Sequence, residues 1–228
     1  MKFIVLFSCF IYSISLSSQV EREGEVTDTR YFEDQFYIGV SYNLLLEKPQ
    51  DVKRKNMSYG LSVGVIKDIP LNKKRNVAIG VGIGYAVNSY YTNLLAAETG
   101  DIRTYTIETE DNFKRNKIET HLLELPIEFR WRESTPENHK FWRLYAGVKF
   151  GYAFANRSKF VSNEKKVSFF NEDIGSLQYG ATISFGYNTW NLHLYYPLNS
   201  LFKDDIKIDN GENLIVKPVR IGVIFYIL

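Results

Sequence analysis

Bulky apolar residues recur at every second position through eight stretches of this chain. Residues 34–46 set Phe36, Ile38, Val40, Tyr42 and Leu44 against Gly39, Ser41 and Asn43. Residues 76–88, NVAIGVGIGYAVN, set Val77, Ile79, Val81, Ile83 and Tyr85 against Ala78, Gly80, Gly82, Gly84 and Ala86. A period of two is the strand signature, because successive side chains leave opposite faces of the pleat. A strand with one face in water usually carries long polar residues there, whereas this one carries almost no side chain. Such a face suits the crowded interior of a narrow barrel, with the bulky face turned to lipid. The same alternation runs through 58–66, 118–131, 141–155, 174–187, 190–196 and 216–228. An even number of strands, most of them long enough for the ~9–11 residues that cross a bilayer, is the outer-membrane pattern. The expected fold is all-β: an eight-stranded antiparallel up-and-down transmembrane β-barrel over residues 34–228. Pro126 removes a ladder donor inside the fourth stretch, so it must sit at a bulge or a hydrogen-bonding gap.

The connections alternate in length. Residues 188–189, 67–75 and 132–140 are short or moderate, and 47–57, 89–117, 156–173 and 199–215 are mostly longer. Short turns belong to the periplasmic end of such barrels and long loops to the extracellular end. All three tryptophans, Trp131, Trp142 and Trp190, fall on the apolar parity at the short-turn end, joined by Phe36, Tyr187 and Phe225. These six residues predict an interfacial aromatic girdle. The long loops are the candidates for partner contact. The 89–117 segment either extends the sheet above the membrane or covers the barrel mouth as a solvated loop.

Composition changes little of this picture. Sixteen Tyr and sixteen Phe favour strands, and the slightly negative mean hydropathy is ordinary for a barrel whose lipid-facing and lumen-facing residues alternate. A formal charge of +2, with no Lys/Arg block, gives no sign of a nucleic-acid partner. Lys2, the apolar run 3–16 and Ser17–Ser18 read as a signal peptide over 1–18, and the charged, aperiodic 19–33 as a flexible periplasmic segment. Cys9, the only cysteine, lies in that leader, where bulky Phe7 argues against a lipoprotein box. The mature chain is therefore expected to hold no disulfide. The expected location is the bacterial outer membrane.

Glu124, Glu128, Arg130, Arg143, Lys149, His193 and Arg220 fall on the lumen parity. If the fourth and fifth strands form a hairpin pairing Trp131 with Trp142, Glu124 faces Lys149 and Arg130 faces Arg143. Glu128 then lies diagonally within reach of Arg143. Six of these residues (Glu124, Glu128, Arg130, Arg143, Lys149 and Arg220) are expected to form a structural charge network that plugs the lumen, since eight strands leave just enough interior for side chains. The glycines of 76–88 would then be room for side chains reaching in from across the barrel. An ion path or gate is the alternative. For a lipid-modifying enzyme, His121 lies on the lipid-facing parity near the extracellular end, but Glu119 is its polar neighbour and no serine follows at a matching spacing. No catalytic, cofactor or metal residues are expected; the three histidines fall in three environments.

LELPIEFRWR (123–132), FWRLYAGVKFGYAFANRSKF (141–160) and WNLHLYYPLNSLF (190–202) resemble the PorT-like family of small outer-membrane barrels. The last strand, Arg220-x-Gly222-x-x-Phe225-x-Ile227, resembles the C-terminal signal of barrel proteins, with Ile227 in place of the usual aromatic. The resemblance implies a non-enzymatic structural or accessory barrel, in some members associated with type IX secretion and gliding. Its partners would be outer-membrane lipid and other secretion or envelope proteins, met through the extracellular loops or periplasmic turns. A small pore and a ligand-binding barrel of lipocalin type, apolar inside rather than outside, are the alternatives. Alternation alone does not say which face is the interior.

Overall fold

The structure, a computed structural model, describes residues 34–100, 102–108, 113–133 and 142–227. The expected leader and the 19–33 segment, with Cys9 and His139, lie outside the described residues. The strands in chain order are β1 (Asp34–Glu47), β2 (Tyr59–Pro70), β3 (Val77–Tyr91), β4 (Leu94–Thr99), β5 (Ile102–Ile107), β6 (Phe113–Arg132), β7 (Trp142–Ser162), β8 (Lys166–Phe170), β9 (Leu177–Tyr187), β10 (Trp190–Pro197) and β11 (Lys217–Ile227). Eight of them close into a ring, β1-β2-β3-β6-β7-β9-β10-β11, in which every pairing is antiparallel and β11 returns to β1. A closed ring leaves no wall strand with an unpaired edge, which a lipid environment demands.

The bulky face points outward. Along β9 every odd position from Leu177 to Tyr187 is exposed and every even position is buried, and Ile38, Val63, Ile83, Leu125, Phe150 and Leu192 are likewise exposed on the outside. This direction is the opposite of a lipocalin-type barrel, whose apolar side lines the interior. Inside, small and polar residues alternate with a few large ones. Gly80 lies against Arg130, Gly82 against Ile66 and Pro126, and Gly84 against Tyr37. The room made by these glycines therefore serves side chains of neighbouring strands as well as the charge network, and Arg130 comes from the adjacent strand rather than from across the barrel. Pro126 falls in a gap of the β3–β6 pairing, between Val81↔Ile127 and Gly84↔Glu124, with the register unchanged across it, as its missing N–H requires.

Two expectations about the hairpin and a turn change, and one left open about the loops is decided. Trp131 pairs with Leu144 rather than Trp142, so the β6–β7 register is two residues away from the expected one. Glu124 stands opposite Gly151, Arg130 opposite Tyr145 and Glu128 opposite Gly147. Trp142 instead pairs with Tyr187 of β9 and stacks on Phe185 at 5.1 Å. Second, β2 continues to Pro70, so Asp68 belongs to the wall and not to a turn. Third, the long loops are built rather than solvated. β4 and β5 form a hairpin, and β8 pairs with the top of β7. Tyr90, Leu94, Tyr105, Ile118, Ile174, Phe202, Leu214 and Val216 are among the residues of a buried apolar cluster formed by the loops and upper strand ends.

Candidate functional site

The lower lumen is organised around Arg130, which is 1% exposed. Alternation along β6 aims it inward together with Glu128, whose Oε2 accepts from Arg130 Nε at 3.0 Å. Arg130 Nη1 donates to Asp68 Oδ1 of β2 at 2.6 Å and to Gln35 Oε1 of β1 at 3.0 Å. Arg132 Nη1 reaches the other oxygen of Asp68 at 3.3 Å, while its Nε donates to the carbonyl of Arg75. The Arg130 guanidinium also lies over the rings of Tyr145 and Tyr226, at 4.4 and 4.8 Å. A planar guanidinium with five donors suits this double duty of ion pairing and stacking. Tyr37, Ile66, Tyr145, Ile224 and Tyr226 pack around it as an apolar layer. Arg143 is buried here too, directly opposite Arg132.

A second layer sits above. Glu124 receives Lys149 at 3.2 Å and Arg220 at 3.2 Å, the two bases arriving from β7 and β11. Lys149 lies diagonally across the hairpin from Glu124, because its direct partner in register is Pro126. Arg220 Nη1 also lies 3.4 Å from Asn88 Oδ1, and its guanidinium is 3.6 Å from the centroid of Tyr195. His193 shares a hydrogen bond of 2.7 Å with Ser184 on β9. The cavity left among Glu124, Lys149, His193, Tyr195 and Arg220 measures about 20 Å³, and a smaller one beside Tyr90 and Gln178 about 10 Å³. Volumes of that size admit about one water each.

The mouth is closed by the apolar cluster of the loops, held by polar ties at its edge. The Tyr105 hydroxyl lies 2.9 Å from both Asn171 Oδ1 and Asp173 Oδ2. Burial, reinforced by the Asp173 carboxylate, pushes this phenol well above its ordinary value. Arg103 gathers Glu98, Glu172 and Asp173 at 3.1–3.3 Å, and Thr106 bonds Asp209.

Outside the wall, Trp131, Trp142, Tyr187, Trp190, Phe225 and Phe36 lie on the outward face near the short-turn ends of β6, β7, β9, β10, β11 and β1. Trp190 packs edge-on against Phe225 at 4.5 Å. Near the other rim, His121 Nδ1 lies 2.6 Å from the Tyr85 hydroxyl, and Ser89 Oγ donates to Glu119 Oε2 at 3.0 Å. β3 thus supplies this face with Tyr85 and a serine that a reading of β6 alone missed. Ser89 is nevertheless bonded to the acid rather than to the imidazole.

Asp68 and Gln35 are partners of Arg130 that sequence reasoning passed over, and Tyr145 and Tyr226, though on the lumen parity, fall outside the charge network expected from sequence. Asp68 carried a usable signal: it continues the parity of Gly60, Ser62, Gly64 and Ile66.

A closed ring of antiparallel strands, apolar outside and filled inside, meets its counterpart in a family model described as "Outer membrane protein beta-barrel domain", which matches residues 17–203. The chain belongs to this family. It is a protein of the bacterial outer membrane. No curated protein matches it. Among solved structures it is similar to Ail, the attachment invasion locus protein of Yersinia pestis, in complex with the heparin analogue sucrose octasulfate: 15% identity, TM-score 0.37, with 86% of this chain and 99% of that chain covered. It is also similar to a triple-mutant porin of Rhodopseudomonas blastica, at 8% identity and TM-score 0.22, with 86% and 100% covered.

Proposed function

We propose that this outer-membrane barrel is a non-conducting, non-enzymatic accessory component of an envelope assembly, serving protein secretion or gliding of the type IX kind. The observation that carries the accessory role is the filled interior. Two layers of paired charges and tyrosines occupy the lumen beneath an apolar cap, which favours a scaffold over a channel. The type IX assignment is supported by the resemblance of residues 123–132, 141–160 and 190–202 to the PorT-like family. Against catalysis stands the outward face, where His121 is engaged by Tyr85 and Ser89 by Glu119. Partner proteins would meet the extracellular cap or the periplasmic turn at 71–76. Deleting the gene tests the role directly: the secreted proteins or gliding motility are expected to change. A strain whose secretome and motility both match the parent would remove the secretion reading.

A further inference from the structure

The lipid-facing surface does not end where the apolar band ends. On β6 the odd positions face outward throughout, and the register carries the outward face at 115, 117, 119 and 121 across to Val161, Lys159, Arg157 and Ala155 of β7. From there it continues to Lys166, Ser168 and Phe170 of β8. This sector therefore presents Arg115, Lys117, Arg157, Lys159 and Lys166, with Glu119 as the acid among these outward positions. Lys117 stands directly opposite Lys159. Like charges in that relation destabilise an antiparallel pair unless something neutralises them. Glu119 neutralises Lys117 and also accepts from Ser89, so Lys159 is the member of the pair that no acid at these outward positions matches. Arg157 leans over the Phe170 ring at 4.8 Å. Elsewhere on the rim, by contrast, Lys217 is matched by Glu47 at 2.7 Å.

Height decides what could balance this charge. Leu123, Tyr152 and Phe154 are exposed on the same face just below. Tyr85 and His121, bonded to each other and in ring contact with Phe154, mark the border. Lys117 lies four residues beyond His121, about 13 Å along a strand, which the tilt of barrel strands reduces to about 10 Å of height. The headgroup region is about 5–8 Å deep on each side of the hydrocarbon, so these backbone positions stand at its outer edge and their long basic side chains reach down into it.

We propose that this sector of β6, β7 and β8 binds the phosphate-bearing headgroup of an outer-leaflet lipid. The phosphate sits among Lys117, Arg157 and Lys159, and the acyl chains run down over Leu123, Tyr152 and Phe154. Continuity between the cationic patch and the apolar band on one sheet face is what selects a lipid over a soluble anion.

The test uses the full-length barrel refolded in uncharged detergent and titrated, by native mass spectrometry, with bisphosphorylated lipid A and with its dephosphorylated counterpart. The phosphorylated lipid is expected to bind about tenfold tighter, with an advantage that shrinks as salt rises. Lys159→Glu places an acid opposite Lys117, so it relieves the sheet rather than straining it. This variant should keep or raise the unfolding midpoint while losing about tenfold in affinity for the phosphorylated lipid. Lys203→Glu, on the cap, should bind like the parent. Equal binding of the two lipids, parental affinity in Lys159→Glu, or an equal loss in Lys203→Glu would each overturn the site. Displacement of the lipid by millimolar inorganic phosphate would overturn the lipid assignment.

Discussion

At the scale of single residues, Arg130 is the side chain with the most to lose. Its charge is buried with Asp68 and Glu128 and sandwiched with two tyrosine rings. Removing one member of such a group leaves partners buried without compensation, which costs about 3–5 kcal/mol. Arg130→Ala is therefore expected to lower barrel stability by that amount in urea titrations of the refolded protein. Arg130→Met combined with Glu128→Gln should recover part of the loss, because it removes a buried carboxylate together with its partner. A single variant as stable as the parent would mean that the charges carry no structural weight. Arg130 and Glu128 were legible as lumen charges from their parity on β6, whereas Asp68 was not. What distinguishes Asp68 from the lysines around it is only that it falls on the inward parity of a strand that runs four residues further than its apolar pattern suggests.

At the scale of elements, the extracellular cap is held by an apolar core and by a few polar ties, of which Tyr105 to Asn171 and Asp173 is one. The folded phenol keeps its proton beyond the pH at which an unfolded tyrosine gives it up, about 10. Its contribution is whole below that value and shrinks as pH rises above it. Limited proteolysis of the cap should thus quicken between pH 8 and pH 11 in the parent, and Tyr105→Phe should show a smaller change. The same rate increase in both would detach the effect from this hydroxyl. Strand existence and facing were legible in the sequence because alternation encodes them directly, as the exposed and buried positions of β9 show. Register was not. Every apolar residue keeps its face when a hairpin slips by two, so Trp131–Trp142 and Trp131–Leu144 fit the pattern equally well. What decides is information alternation lacks: the stacking of Trp142 on Phe185 and the geometry of the connecting turn. The built cap was hidden for a related reason, since short strands and bridges separated by polar turns leave too few periods to read.

At the scale of the whole molecule, the two lumen layers and the cap lie in series along any path through the barrel. A channel would have to displace both charge layers, and eight strands provide no spare width for a bypass. Purified protein in planar bilayers is accordingly expected to give no conductance steps above the bare-membrane baseline. Sustained ohmic steps would contradict the accessory role. The Glu124–Arg220 pair has a separate bearing on how such a ring is made. Its members lie 96 residues apart, and Arg220 belongs to β11, the strand that closes the ring against β1. Docking β11 two residues out of step against β1 would bury the right surfaces, yet it would drag the guanidinium about 7 Å from its acid. Closure of the ring is thereby tied to one register: greasy complementarity admits several, and a carboxylate placed much earlier in the chain rewards one of them.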